Sequence, residues 1–407
     1  MPPSLMPVDQ YADVVRDLLG VATPTPVPLA EADGLVLAAD LVAEVPLPTF
    51  ANSAMDGYAV RHSDLAAAGP TTLPVCADIP AGRIDVPPLA PGSAARIMTG
   101  APVPDGADTV IPVEFTDASA TGDAPAEVTF LETVERGRHV RPRGEEAETG
   151  DVLLSAGTAL TPPALGLAAA AGHATVLAYP RPRVLVLSTG SELVTPGRPL
   201  QHGQIYESNS VVLVSALERI GARARALQLV EDDVETFHRR LRDEAADADL
   251  IVTSGGVSAG AFEVVKEALE GAVEFVKTGM QPGMPQGCGR FEGTPIVTLP
   301  GNPVSVYVSF EVYLRGALLA WMGCADTERP GFVGTWKGPR QGSPADKRQF
   351  LRGVCDVPEG TVTPVGAPPS HLLAALARAN CLVVIPEGQA SVSPGDDVEI
   401  WLLDSAL

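Results

Sequence analysis

Three short segments place glycine beside hydroxyl or amide side chains directly after an apolar run. They are Ser188-Thr-Gly-Ser-Glu-Leu193, Leu250-Ile-Val-Thr-Ser-Gly-Gly-Val-Ser-Ala-Gly260 and Leu299-Pro-Gly-Asn-Pro-Val-Ser305. Glycine lets backbone N–H groups close on an anion, and the helix N-terminus that follows favours negative charge. One such turn is explained as well by a tight bend as by a ligand. Three on one sheet edge point to a phosphate or nucleotide site, with Ser254, Gly255, Gly256, Ser258, Pro300, Gly301, Asn302 and Ser305 as its cradle. Glu192, Asp232 and Glu263 each follow a strand end or open a helix of the same region. Singly, each reads as a helix cap or a solvated side chain. Beside phosphate loops such carboxylates hold Mg²⁺, and Glu192 and Asp232 are the metal candidates. Lys277 follows the run Val273 to Val276 and reads equally as a phosphate-neutralising cation or a surface lysine.

A second group lies nearer the N-terminus. Phe50-Ala-Asn-Ser-Ala-Met-Asp-Gly-Tyr-Ala-Val60 sets small residues, two amide or carboxylate groups and an aromatic between apolar ends. It reads as a rigid turn presenting Asp56 as a ligand or base. Arg96-Ile-Met-Thr-Gly-Ala-Pro102 places Thr99 at a strand end. Arg138 to Glu148 alternates Arg138, Arg141 and Arg143 with Glu145 and Glu146, for which a solvated, salt-bridged loop is the plain reading. The six histidines include no pair at i, i+4, so no zinc site is expected. No Ser–His–acid or Cys–His triad follows from spacing.

These residues need elements to position them. With 407 residues the chain exceeds one ordinary domain. Val8 to Val21 has helical apolar spacing, ended by Pro24, Pro26 and Pro28. Ala30 to Asp40 is expected as a second helix. From Val45 to Val140 short β-prone runs alternate with turn residues, giving a small, mostly β domain. Leu160 to Gly172 predicts a helix with Pro162 and Pro163 in its first turn. Arg183 to Cys324 alternates buried-strand runs with helical stretches, which implies right-handed crossovers and a mostly parallel, doubly wound sheet. Ligands of such sheets bind beyond the carboxyl ends of the strands, where the glycine-rich turns fall. After Asp326 the texture is β again. The expected plan is an α/β and β multidomain chain: a discontinuous helical domain (1–44 and 142–178), a β domain (45–141), the doubly wound domain (179–325) and a C-terminal β-barrel (326–407).

Composition removes several classes. Hydrophobic residues make up 45%, too many for a disordered chain. The net charge of −22 argues against nucleic acid or an anionic membrane as partner. No apolar run is long enough to predict a transmembrane helix, and the N-terminus shows no signal-peptide pattern. Five dispersed cysteines without a CxxC pair fit free thiols in a reducing, cytoplasmic compartment. Only four lysines occur, Lys266, Lys277, Lys337 and Lys347, against 24 arginines.

Six blocks carry a resemblance: Ala51-Asn-Ser-Ala-Met-Asp-Gly-Tyr58, Arg96-Ile-Met-Thr-Gly100, Ser188-Thr-Gly-Ser-Glu192, Gly203-Gln-Ile-Tyr-Glu-Ser-Asn209, Thr253-Ser-Gly-Gly-Val-Ser258 and Leu299-Pro-Gly-Asn-Pro303. In this order, over nearly the whole chain, they closely resemble the molybdopterin molybdenumtransferases and the related plant and gephyrin domains. The resemblance implies four domains and an elongated homodimer. It also implies a site between the doubly wound domain of one subunit and the β domain of the other. The implied substrates are adenylylated molybdopterin and molybdate. Mg²⁺-assisted cleavage of the pyrophosphate link releases AMP, and the dithiolene takes up the metal. Asp56, Thr99, Glu192, Asp232, Lys277 and Ser370 match positions the family uses, whereas Glu146 and Glu263 fall where relatives carry Asp. Many relatives read Lys-Pro-Gly-Lys-Pro after the Lys277 position; here the segment is Gln281-Pro-Gly-Met-Pro285. Two cations near a dianionic substrate are missing, and Arg348, Arg352 or backbone N–H groups are the expected compensation. The alternatives are the preceding enzyme, molybdopterin adenylyltransferase, and a pterin-binding scaffold without turnover. The Asn52 to Tyr58 block and the extra domains argue against the first; the retained Asp56, Glu192 and Asp232 argue against the second. The adenylyltransferase is also the expected protein partner.

Overall fold

The computed structural model describes residues 5–67, 69–190, 192–229, 234–255, 267–366 and 369–403. The chain divides into two compact units. One comprises 1–25, 34–38 and 177–407; the other comprises 26–33 and 39–176. The opening helix α1 (Val8–Leu19) belongs to the first unit. The expected helix over Ala30 to Asp40 does not form. Residues Leu29–Glu31 make one 3-10 turn, and the backbone then extends so that Ala38 N–H donates to the Leu177 carbonyl at 2.9 Å. Gly34, with φ 71°, breaks any helical continuation.

The second unit is built on a five-stranded sheet. Its strands are β1 (Gly57–Val60), β2 (Thr71–Ile79), β3 (Ala94–Ile97), β4 (Thr109–Pro112) and β5 (Glu127–Phe130), in the order β4-β1-β3-β2-β5. Alternation sorts its apolar side chains to two faces, Tyr58, Val60, Ile111 and Phe130 on one and Ala59, Ile79, Ile97 and Val110 on the other. Helix α2 (Pro162–Ala170) starts on two prolines after Thr161, as its sequence predicts.

The first unit holds a six-stranded sheet. In chain order the elements are β6 (Arg183–Thr189), α3 (Asn209–Arg219), β7 (Arg223–Leu229), α4 (Val234–Ala245), β8 (Leu250–Ser254) and β9 (Val273–Lys277). The short β10 (Met280–Gln281), then β11 (Pro285–Phe291) and β12 (Thr294–Leu299), complete the set. The sheet order is β7-β6-β8-β12-β11-β9. The first four strands run parallel, and β11 is antiparallel to both β12 and β9. Strand β9 therefore runs with β12, and its Lys277 end lies on the same edge as Thr189, Ser254 and Leu299. Val184, Val186, Val252 and Val297 pack on α1, α3 and the helix after β12, while Leu185, Leu187, Ile251 and Ile296 pack on α4, Ala268 and Leu269. This is the doubly wound sheet expected from strand–helix alternation.

Strand β11 is not legible as a strand, because glycine weakens a strand pattern. Here glycine is a packing requirement. A Cβ on Gly289 would lie 1.9 Å from the Ala272 carbonyl oxygen, and one on Gly287 would lie 2.4 Å from Thr298 Oγ1.

After β12 one continuous helical segment runs through α5 (Pro303–Ser309), a π turn over Phe310–Leu314 and α6 (Arg315–Trp321). The π turn carries Glu311, which is buried and accepts two hydrogen bonds from Arg329, at 2.6 and 2.7 Å. Strands β13 (Gly331–Trp336), β14 (Arg348–Asp356), β15 (Thr361–Pro364), β16 (Cys381–Ile385) and β17 (Asp397–Leu402) then pair in a closed ring, β13-β17-β16-β14-β15 and back to β13. Trp336, Leu351, Val383 and Ile400 fill this barrel. Strand β10 joins it from outside, pairing with Arg348 and Gln349 of β14. No helix among the described residues is long and apolar enough to cross a membrane.

Candidate active site

In the second unit, Asp56 closes the turn before β1. Its Oδ1 accepts the Thr99 N–H at 2.6 Å and the Thr99 hydroxyl at 2.7 Å. Those two donors, the backbone N–H first, hold the Asp56 carboxyl below the usual carboxylate range. Both bonds fall on one oxygen, so Oδ2 is left for a ligand. The turn is rigid because its backbone is tied on several sides. Ser53 and Ala101 bond through the backbone, Gly100 N–H donates to Ser53, Ala54 N–H donates to His139, and Val113 N–H donates to the Asp56 carbonyl. Gly57 lets β4 approach: a Cβ there would lie 2.0 Å from the Ile111 carbonyl oxygen. Gly57→Ala is therefore expected to destabilise the protein by about 1–3 kcal/mol, read as a lowered denaturation midpoint. Thr99→Val removes the hydroxyl donor and keeps the N–H. The Asp56 pKa should then rise toward its ordinary value, so the acid limb of a pH–rate profile should move to higher pH. An unmoved limb would show that Thr99 does not set the Asp56 charge.

Glu146 lies in the same unit, exposed, with its N–H donating to the Leu47 carbonyl at 2.9 Å. Among the described residues its carboxylate makes no bond to Asp56 or Thr99. A cavity of about 580 Å³ beside Arg61, His62, Asp108 and Arg136 contains none of the residues expected to act.

In the first unit, chain order reverses between β6 and β8, the switch point where doubly wound sheets bind ligands. Ser188 and Ser254 face each other there in register, their hydroxyls 3.5 Å apart. Ser188 donates at 3.0 Å to Glu207, a buried carboxylate that also accepts the N–H of Ser210 at 2.8 Å and its hydroxyl. Glu207 was not among the expected site residues. Its only sequence signal is its place in the Gly203 to Asn209 block. Gly255 N–H is spent on the Leu299 carbonyl at 3.0 Å, so Gly255 shapes the turn and does not offer an anion its N–H. Gly256, Ser258, Asp232 and Glu263 lie outside the described residues. Glu192 is exposed beside the edge, its carboxylate over Gly190, where a Cβ would come within 2.6 Å of Oε2. Among the described residues no group of three metal-ligating side chains occurs. One exposed carboxylate beside a phosphate edge still suits Mg²⁺, which keeps several waters and takes one or two carboxylates plus phosphate oxygens.

The β12 turn forms a pocket of about 540 Å³. Pro300, Gly301, Asn302, Ser305 and Ser370, all expected from sequence, line it together. Asn209 fixes the turn by donating to the Gly301 carbonyl at 2.8 Å, and Asn302 donates to the Ser370 hydroxyl at 3.0 Å. Gln281 and Met284, at the positions of the missing lysines, also line it, with Lys347 and His371. Lys277 is exposed at the end of β9 and is not part of the lining. Arg352 is buried behind the pocket and donates to the Pro369 carbonyl at 3.1 Å. Arg348, expected as a compensating cation, instead bonds Asp9 at 2.7 and 2.9 Å and Glu387 at 3.1 Å. Those carboxylates absorb its charge and raise its pKa further.

Known proteins match this chain over nearly its whole length. Residues 6–172 match the MoeA N-terminal region (domain I and II), 185–320 a probable molybdopterin binding domain, and 341–403 the MoeA C-terminal region (domain IV). The chain is 50% identical over 405 residues to molybdopterin molybdenumtransferase 2 of Mycobacterium tuberculosis, covering 97% of this chain and 98% of that one. It is 35% identical over 402 residues to the Haemophilus influenzae molybdopterin molybdenumtransferase, with the same coverage. The crystal structure of a molybdopterin biosynthesis MoeA protein from Pyrococcus horikosii superposes with a TM-score of 0.80 at 28% identity, covering 99% of this chain and all of that one. A doubly wound domain with these flanking regions defines the MoeA class of biosynthetic enzymes. The chain belongs to the molybdopterin molybdenumtransferase family.

Proposed function

We propose that this enzyme acts in molybdenum cofactor biosynthesis, inserting molybdate into adenylylated molybdopterin with release of AMP. The observation that carries this reading is the pocket in which Pro300, Gly301, Asn302, Ser305 and Ser370 converge at the carboxyl edge of the sheet. It offers hydroxyl and amide donors to a phosphorylated ligand. Glu192, with Asp232, would hold Mg²⁺, which supplies charge neutralisation on the phosphate oxygens when bound. Asp56 keeps an ionised carboxylate at neutral pH with Oδ2 open, which suits it to hold and orient a water at the reacting phosphate.

The active form we propose is a homodimer in which Asp56 and Thr99 of one subunit complete the strand-edge pocket of the other. The four-domain plan with boundaries at 45, 142, 179 and 326 belongs to the same proposal. Molybdopterin adenylyltransferase would deliver the substrate. The cytoplasm is the proposed location, where the five free thiols persist.

The test is AMP release from adenylylated molybdopterin with Mg²⁺ at graded molybdate. Molybdate-dependent AMP with active cofactor formed supports the reading. Tight pterin binding without AMP at any molybdate concentration would replace it with a scaffold role. Formation of adenylylated pterin from ATP and molybdopterin alone would replace it with adenylylation.

A further inference from the structure

We propose that Lys347, on the turn leading into barrel strand β14, is the cation with which this pocket captures a tetrahedral oxyanion. The inference rests on the proposed use of molybdate and assigns the charge that Gln281 and Met284 do not provide.

The pocket wall around Gln281 and Met284 is neutral, and its ionisable lining is Lys347 and His371. Lys347 is half-buried and forms no ion pair among the described residues. Its neighbour is the opposite case, since Arg348 is held between Asp9 and Glu387. That clamp fixes the backbone on which Lys347 stands. Arg348 N–H donates to the Gly279 carbonyl at 2.8 Å, and Lys347 N–H donates to Pro344 at 3.2 Å. Lysine suits this task as a compact, strongly hydrated point charge, indifferent to the direction of approach.

Two neutral donors are oriented beside it. Gln349 Nε2 donates to Gln281 Oε1 at 3.2 Å, which leaves the Gln281 amide N–H groups for the pocket. Ser370 Oγ accepts from Asn302, so its own proton is free to point at a ligand. One cation and two fixed donors can hold a dianion, with part of its charge uncompensated. Affinity should then be modest, and sensitive to salt and to any added positive charge.

The experiment is calorimetric titration of sodium molybdate into the full-length protein without pterin, at constant ionic strength. Wild type, Lys347→Gln, Met284→Lys and the Lys347→Gln/Met284→Lys double variant are compared. Lys347→Gln should weaken molybdate binding roughly tenfold or more. Met284→Lys should tighten it, and the double variant should recover most of the loss. The half-saturating molybdate for AMP release should move in the same direction in each variant. An unchanged dissociation constant in Lys347→Gln overturns the assignment, as does wild-type protein that takes no molybdate at millimolar concentration. Wild type that binds molybdate through Lys347 and yet releases no AMP would leave the anion site standing and remove the proposed reaction.

Discussion

Asp56→Asn is expected to lower molybdate-dependent AMP release by about 10²–10⁴-fold while the protein stays folded. The reason lies in the division of labour between the two carboxylate oxygens. Oδ1 is consumed by the Thr99 N–H and hydroxyl, so the turn keeps its shape if asparagine places its carbonyl oxygen there. The lost group is the charged Oδ2, which asparagine replaces with a neutral amide donor. Asp56 is exposed, so stability should change by less than about 1 kcal/mol. The sign with pH follows from the direction of its shift. Thr99 depresses the folded pKa, so the anion persists as pH falls past the ordinary carboxylate value, and the stability tied to it is lost only below that. Rate measurement beside thermal denaturation separates the outcomes. Wild-type turnover in the variant would remove Asp56 from the chemistry; a large loss of stability would make it a structural residue.

The largest expected effect on stability comes from Glu311. Its side chain is 1% exposed, and that of its partner Arg329 is 12% exposed. Arg329 also donates to the Leu402 and Leu403 carbonyls, so the pair ties the π turn after α5 to the end of barrel strand β17. Arg315 lies close by, and burial presses its guanidinium below the usual value. Glu311→Ala removes the buried carboxylate that takes two hydrogen bonds from Arg329 and leaves that guanidinium charged without it. The expected cost is about 3–5 kcal/mol, measured by denaturant unfolding. The Glu311→Ala/Arg329→Met double variant should be more stable than Glu311→Ala alone, because it removes the stranded charge. A single variant within 1 kcal/mol of wild type would show that water reaches the guanidinium.

These two residues differ in how far they could be read in advance. Asp56 stands out in the sequence because it lies in the Ala51 to Tyr58 block that carries the family resemblance, although a turn by itself often holds an aspartate. Glu311 sits in an apolar helical stretch where spacing alone would pair it with Arg315, four positions on, and not with Arg329. Its partner lies 18 positions on, beyond the helix end. Local periodicity reports which face is buried, but not which charge on another element meets it.

The same boundary runs through the fold. Strand–helix alternation from Arg183 onward determined the doubly wound sheet, since apolar runs of strand length separated by amphipathic helices bury both faces in one way. The turns after Leu187, Val252 and Leu299 determined the binding edge, because glycine and small polar residues at parallel strand ends meet there. Tertiary structure alone decided the rest. Ala30 to Asp40 has helix-forming residues but extends, since the backbone bond from Ala38 to Leu177 outweighs weak local propensity. The Gly287 and Gly289 strand pairs because its neighbours leave no room for side chains. The pocket's charge was the least legible feature. Three positions near Gln281 are neutral or spoken for, and the available cation comes from Lys347, 66 residues further on, where β10 pairs with the barrel. Sequence spacing determines chemistry carried by one strand and its turn; chemistry shared between segments far apart in the chain depends on pairing that only the folded sheet and barrel supply.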